Sequence, residues 1–147
     1  MSEVTFEVKG SWIGDRNGKG EITSNGFKTT VSAPKELDGP GIGANPEELL
    51  ISAATNCYMI TLAAILSSRS IEYSHLEVVS EGKVSKEGNQ LVFQKITHRP
   101  TIYISTSDKE MLEKIEQLTH RAKKACFISQ TLSDSVEVTV EPMIEIK

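Results

Sequence analysis

Cys57 and Cys126 are the only cysteines in the 147-residue sequence. A thiol can pack as a small apolar group, ligate a metal, or act as a nucleophile once it loses its proton. The surroundings of the two differ. Cys57 sits inside LLISAATNCYMITLAAIL (residues 49–66), eighteen residues without charge, glycine or proline. Taken alone, a thiol there reads as packing. Cys126 follows RAKKA, so Arg121, Lys123 and Lys124 bring positive charge nearby. Positive neighbours favour thiolate, and composition alone therefore nominates Cys126 as the more reactive thiol. The same bases could simply complement the dipole of a helix end. Two charged residues complete the set. Glu47 lies ten positions before Cys57, and Arg16 directly precedes Asn17-Gly18. Singly, Glu47 is an acid in a first helical turn and Arg16 a solvated side chain beside a turn. His75, His98 and His120 are scattered without the short Cys/His spacing of zinc sites, so no metal is expected.

The elements that must position these residues follow from patterning. Val4–Val8 (VTFEV) alternates as a half-buried strand does. Asn17-Gly18 and Asn25-Gly26 supply the positive φ angles of tight hairpin turns, and the second lies between Gly20–Thr23 and Phe27–Val31. Residues 32–46, SAPKELDGPGIGANP, hold three glycines and three prolines and read as a loop. A helix should start there, with Asn45 as N-cap, Pro46 at the first helical position and Glu48 at capping-box spacing, and run to about Ser68. Strands are expected over Leu76–Val84, Leu91–Ile96, Thr101–Ser105 and Val136–Val140, with Ile144–Ile146 able to extend the last past Pro142. Ser107 and Glu110 form a second capping box. Met111, Leu112, Ile115, Leu118, Ala122 and Ala125 then recur at helical spacing. The order strands, helix, strands, helix, strand is an α+β fold, with antiparallel sheets packed around a central buried helix.

Composition bounds the function classes. The length suits a single domain over residues 1–147 with a sizeable core. A net charge of −4 argues against a general nucleic-acid binder. MSEVTFEVKG lacks the apolar region of a signal peptide, so a cytoplasmic protein is expected. The eighteen uncharged residues reach the lower range for a membrane span, but Ser52, Thr55, Asn56 and Thr61 dilute them, and a core helix with no membrane partner is the better reading. Such a helix is apolar on all sides, and one small sheet covers only one of them. Burial by a second copy is an economical solution, so a homodimer is expected.

GANPEELLISAATNCYMITL resembles the helix signature of the OsmC/Ohr superfamily, the osmotically induced and organic-hydroperoxide-resistance proteins. That signature is Gly-x-Asn-Pro-Glu-x-Leu, then small residues, then a cysteine ten positions after the glutamate, as Glu47 and Cys57 stand here. The second family cysteine lies in Cys-Pro-x-Ser. The chain has CFIS from Cys126, with Ser129 in register and Phe127 in place of proline. RNGKG puts the family arginine at Arg16.

The resemblance implies a thiol peroxidase acting on organic hydroperoxides. Cys57 would be the peroxidatic thiolate, Cys126 the resolving thiol, and Arg16 and Glu47 would set the thiolate's surroundings. It further implies an intertwined homodimer, no bound cofactor, and an external dithiol reductant of the lipoyl type. Ten residues of helix rise about 15 Å, so Glu47 cannot touch the sulfur of its own straight helix. Either the helix breaks or the glutamate comes from the other subunit, where it would hold Arg16 as a carboxylate–guanidinium pair. Leu50, Met59 and Ile60, near Cys57 in sequence, are candidate linings for an alkyl substrate. A redox-sensing or ligand-binding protein on the same scaffold, and a structural dimer with inert cysteines, are the alternatives.

Overall fold

The computed structural model describes residues 2–147, and the chain divides into two compact units, Met1–Leu50 and Ile51–Lys147. The first unit carries a three-stranded antiparallel sheet of β1 (Lys9–Ile13), β2 (Lys19–Thr23) and β3 (Lys28–Val31). Both Asn-Gly pairs sit in its hairpin connections. In the first, a side chain at Gly18 would collide with the Ile13 carbonyl, which explains the glycine two residues after Arg16. A short 3-10 helix (Lys35–Leu37) interrupts the loop that follows. Val4–Val8 is not a strand. It pairs with nothing among the described residues, and Phe6 is 89% exposed. Alternation describes a face but does not supply the neighbouring strand that would use it.

Helix α1 (Pro46–Ser68) begins as the capping pattern requires. Asn45 Oδ1 accepts from the Glu48 N–H at 2.8 Å, and the Asn45 side-chain amide donates to Glu48 Oε1 at 2.8 Å. The helix is unbroken, which removes the first of the two expectations for Glu47.

In the second unit, β4 (His75–Glu87) and β5 (Gln90–Ile104) form a long antiparallel hairpin. The expected Leu91–Ile96 and Thr101–Ser105 are one strand through Pro100. On its other side β5 pairs with β6 (Glu137–Val140) over Lys95–His98 and with β7 (Met143–Ile146) over Thr101–Ile104. Pro100 lies opposite the gap between them, where a strand can dispense with an N–H. Both of these pairings are parallel, so the sheet is mixed rather than wholly antiparallel.

Helix α2 (Lys109–Ala125) is capped by Asp108, whose carboxylate accepts from the Glu110 N–H at 3.2 Å. The expected Ser107–Glu110 box is not used, because Asp108 is an equally good acceptor one residue nearer the helix. Helix α3 (Phe127–Leu132) follows at once and was not expected. Ala54, Tyr58, Leu62 and Leu66 form the buried stripe of α1, spaced one turn apart. Tyr58, Leu62 and Leu66 meet Ile102 and Ile104 of β5 and Ile115, Leu118 and Ala122 of α2 in the main core. A smaller cluster joins Ala54, Ile96 and Val136 to Ile128 and Leu132 of α3. One side of α1, with Asn56, Ile60 and Ala64, is open, and Ile60 is 64% exposed. By length and hydropathy α1 could cross a membrane, but Ala54, Tyr58, Leu62 and Leu66 pack it into the core of the fold.

Candidate active site

The second unit brings Cys57 and Cys126 together. Cys57 is half-buried on α1, one residue from the core tyrosine Tyr58. Cys126 is fully buried at the junction of α2 and α3, where it serves both helices. Its N–H donates to the Ala122 carbonyl at 3.0 Å, closing α2, and its carbonyl accepts from the Gln130 N–H at 3.0 Å, opening α3. The two free thiols are near enough for each to shift the other's acidity.

Their acidities diverge. At Cys57, burial alone would raise the thiol's pKa, yet the balance is downward. The Cys126 thiol is the largest influence that favours thiolate, followed by the Ile128 N–H, the Thr61 hydroxyl and the Phe127 N–H. At Cys126 the balance is upward. Burial raises it first, the bond to Cys57 raises it further, and the Ser129 hydroxyl and N–H offset only part. The reading of Cys126 as the more reactive thiol is therefore corrected. Its sequence neighbours Arg121 and Lys124 are exposed, and the influences on the sulfur come from burial, Cys57 and Ser129 instead.

A polar chain backs this pair. Tyr58 donates to the Thr119 carbonyl at 2.9 Å and stacks on His98 with ring centroids 4.8 Å apart. His98 Nδ1 lies 2.7 Å from Ser80 Oγ, which lies 2.8 Å from Thr55 Oγ1. Burial and, to a lesser degree, negative charge at Cys126 push the Tyr58 hydroxyl's pKa upward, so it stays protonated.

Arg16 and Glu47 belong to the first unit, and there they do not pair. The Arg16 guanidinium donates to the Leu37 carbonyl at 2.8 Å and to Asn17 Oδ1 at 3.3 Å. Glu47 Oε1 is buried without a hydrogen-bond partner among the described residues. The loop carbonyl, not the carboxylate, holds the guanidinium within one chain. Arg16 also borders an apolar cavity of about 480 Å³ with Trp12, Ile22, Val31 and Leu49 among its walls. Leu50, Met59 and Ile60 are not among the residues lining that cavity. Leu50 and Met59 are half-buried and Ile60 is exposed.

Sequence reasoning missed Thr61, the two main-chain donors of α3, and the cavity beside Arg16. Thr61 had a signal, since it stands four residues after Cys57 on the same helix face and bonds the Cys57 carbonyl at 2.8 Å. The amides of Phe127 and Ile128 have none, because every residue but proline carries one.

The OsmC-like protein family matches residues 39–141, a span that holds Glu47 and both cysteines. The chain belongs to the OsmC-like family. The uncharacterized protein YmaD of Bacillus subtilis is 35% identical over 147 residues, covering 99% of this chain and 98% of its own. The peroxiredoxin OsmC of Escherichia coli is 25% identical, covering 94% and 96%. An OsmC-like protein of unknown function from Vibrio cholerae superposes with a TM-score of 0.80 at 20% identity, over 97% of this chain and 100% of its own. At that identity the superposition speaks for the fold. The OsmC-like family includes hydroperoxide-resistance proteins of the peroxiredoxin type.

Proposed function

We propose that the protein is a thiol-dependent peroxidase that reduces organic hydroperoxides to alcohols in the cytoplasm. What supports this reading is the divided acidity of two neighbouring thiols: the surroundings shift the Cys57 pKa down and the Cys126 pKa up. The Cys57 thiolate attacks the terminal peroxide oxygen, and the O–O bond breaks. The alkoxide leaves and takes a proton as the alcohol, while the sulfur is oxidised by two electrons to the sulfenic acid. The Cys126 sulfur then displaces hydroxide from the Cys57 sulfenic acid. Water leaves with the Cys126 proton, and a disulfide remains. An external dithiol of the lipoyl type restores both thiols by exchange. No bound cofactor enters this cycle.

Two further parts belong to the proposal. The chain acts as an intertwined homodimer, which would cover the apolar side of α1 that carries Ile60. Arg16 of one subunit, bordering its apolar cavity, serves Cys57 of the other and is held by Glu47 in the assembled site. An alkyl chain suits that cavity better than hydrogen peroxide does.

The test is intact mass before and after one equivalent of cumene hydroperoxide. The expected result is a loss of two hydrogens per chain. Cys57→Ser abolishes peroxide consumption, and Cys126→Ser spares a single turnover but accumulates sulfenic or over-oxidised Cys57. Normal consumption by the Cys57→Ser protein overturns the assignment. Oxidation without steady-state turnover on a lipoyl dithiol would instead make the protein a redox sensor.

A further inference from the structure

Between Leu49 and Leu66 helix α1 is uncharged and largely apolar all round, so burial of apolar area does little to choose its rotation. It buries Ala54, Tyr58, Leu62 and Leu66, yet Met59 and Ala63 stand one residue further round and Ala53 and Ile65 one residue back. Rotation matters for Cys57. A turn of about 20° moves the base of a helix side chain by about 1 Å, and a misplacement of that size can slow a reaction about a hundredfold. Hydrogen bonds are directional where apolar contact is not, and they can set the angle.

Two side chains of α1 that bracket Cys57 make such contacts. On one side of it, Thr55 Oγ1 lies 2.8 Å from Ser80 Oγ of β4, which lies 2.7 Å from Nδ1 of the buried His98 of β5. On the other, Tyr58 stacks on the same imidazole and donates to the Thr119 carbonyl of α2 at 2.9 Å. Ser80 and His98 stand directly opposite each other in the β4–β5 register, so the bridge rises from a paired hairpin. Gly82, on the same face of β4, admits the helix this closely, because a Cβ there would lie 2.5 Å from Ile51 Cδ1. The packing also says where α1 is being held. Ala54 shares a core cluster with Ile128 and Leu132 of α3, and Tyr58 shares one with Ala122 of α2. The turn that carries Cys57 is thus packed at the α2–α3 junction, where Cys126 stands.

We propose that the Thr55–Ser80–His98 bridge sets the rotation of α1 and thereby places the Cys57 sulfur for disulfide formation with Cys126. The three are positioning residues. A disulfide tolerates only a narrow range of Cα separations, about 4.4–6.8 Å, and a defined torsion, which makes it sensitive to that rotation. The inference deepens the peroxidase reading and rests on it only for the use made of the disulfide.

The test reads the thiol pair without peroxide. Reduced protein is equilibrated with oxidised and reduced glutathione. The two protein thiols give up two hydrogens and two electrons and form the Cys57–Cys126 disulfide, while glutathione disulfide becomes two thiols. The equilibrium constant is the effective concentration of one protein thiol at the other. Thr55→Val keeps the side-chain shape and removes the hydroxyl, whereas Thr55→Ser keeps the hydroxyl. Thr55→Val should lower the effective concentration about tenfold, and Thr55→Ser should hold it within about twofold of wild type. Ser80→Ala should lower it at least as far. The double variant should fall no further than Ser80→Ala alone, because both changes cut one bridge. Leu62→Ala is the control for general loosening. It empties the core one turn beyond Tyr58, and should lower the urea midpoint while leaving the effective concentration within about twofold. An unchanged value in Thr55→Val, losses that multiply in the double variant, or an equal fall in Leu62→Ala overturns the proposal. So does a wild type that forms no such disulfide. A bridge-dependent effective concentration in a protein that consumes no hydroperoxide supports this inference and removes the peroxidase reading. Full turnover with an unchanged value in Thr55→Val does the reverse.

Discussion

The imidazole of His98 is fully buried, stacked on Tyr58, with Nδ1 held 2.7 Å from Ser80 Oγ and Nε2 without a partner among the described residues. Burial disfavours its charged form and lowers its pKa to about 4. In the unfolded chain a histidine titrates near about 6.5, so between those values the unfolded state binds the proton and the folded state does not. Stability from this group is therefore whole above about pH 6.5, falls as the pH drops, and levels off near pH 4. The full loss is about 3 kcal/mol. Carboxylates add their own acid dependence, so the check is a difference: denaturant midpoints of wild type and His98→Phe between about pH 7 and pH 4. The phenyl ring of that variant can keep the stack on Tyr58, and the wild-type curve should fall more steeply through that window. The thiol pair shows how far such environments can be read from sequence. Both cysteines, Glu47 and Arg16 were legible as candidates. Which thiol is activated was not legible in composition, which nominated Cys126, while the family resemblance nominated Cys57. The basic residues adjacent to Cys126 in sequence do not decide its state, whereas the groups that lower the Cys57 pKa are first the Cys126 thiol, then the main chain of Ile128, a threonine one turn away and the main chain of Phe127.

At the scale of elements, explicit boundary chemistry was legible and context-dependent structure was not. The span of α1 follows from Asn45 and Pro46 at one end and the polar Ser67-Ser68 at the other, and its cap bonds are made at 2.8 Å. Asn45→Ala should therefore cost about 1 kcal/mol of stability, measured as a lowered denaturation midpoint, while Asn45→Ser should retain most of it. Where two signals compete, sequence cannot arbitrate. Ser107 and Asp108 are adjacent acceptors, and only the turn geometry selects Asp108. Pro100 reads as a strand end until the register shows that it faces the gap between β6 and β7. Helix α3 has six residues, too few for a period, and exists because Ile128 and Leu132 pack against Ala54, Ile96 and Val136. This small contact matters for the site, since it positions the two amides that face Cys57.

At the scale of the whole molecule, the first unit holds a sheet whose strands contain no buried residue, with Trp12 and Ile13 open on β1. The second leaves one side of an apolar helix uncovered. Neither is a finished surface for a chain of this composition, and a second copy would finish both. The arrangement has a consequence for catalysis that composition cannot reveal. If Arg16 serves the cysteine of the partner subunit, the two lesions Arg16→Ala and Cys57→Ser should complement each other. Each variant alone would then form a homodimer in which both sites are damaged. In a mixed dimer, one site combines an intact Cys57 from the first chain with an intact Arg16 from the second, and the other site carries both lesions. Co-expression and purification of the mixed dimer should restore about half the peroxide consumption of wild type, one intact site of two. If arginine and cysteine act within one chain, the same mixed dimer holds one site without its arginine and one without its thiol. Consumption then falls to about half that of the Arg16→Ala protein, one thiol-bearing site of two, and the exchange of catalytic residues between subunits is refuted.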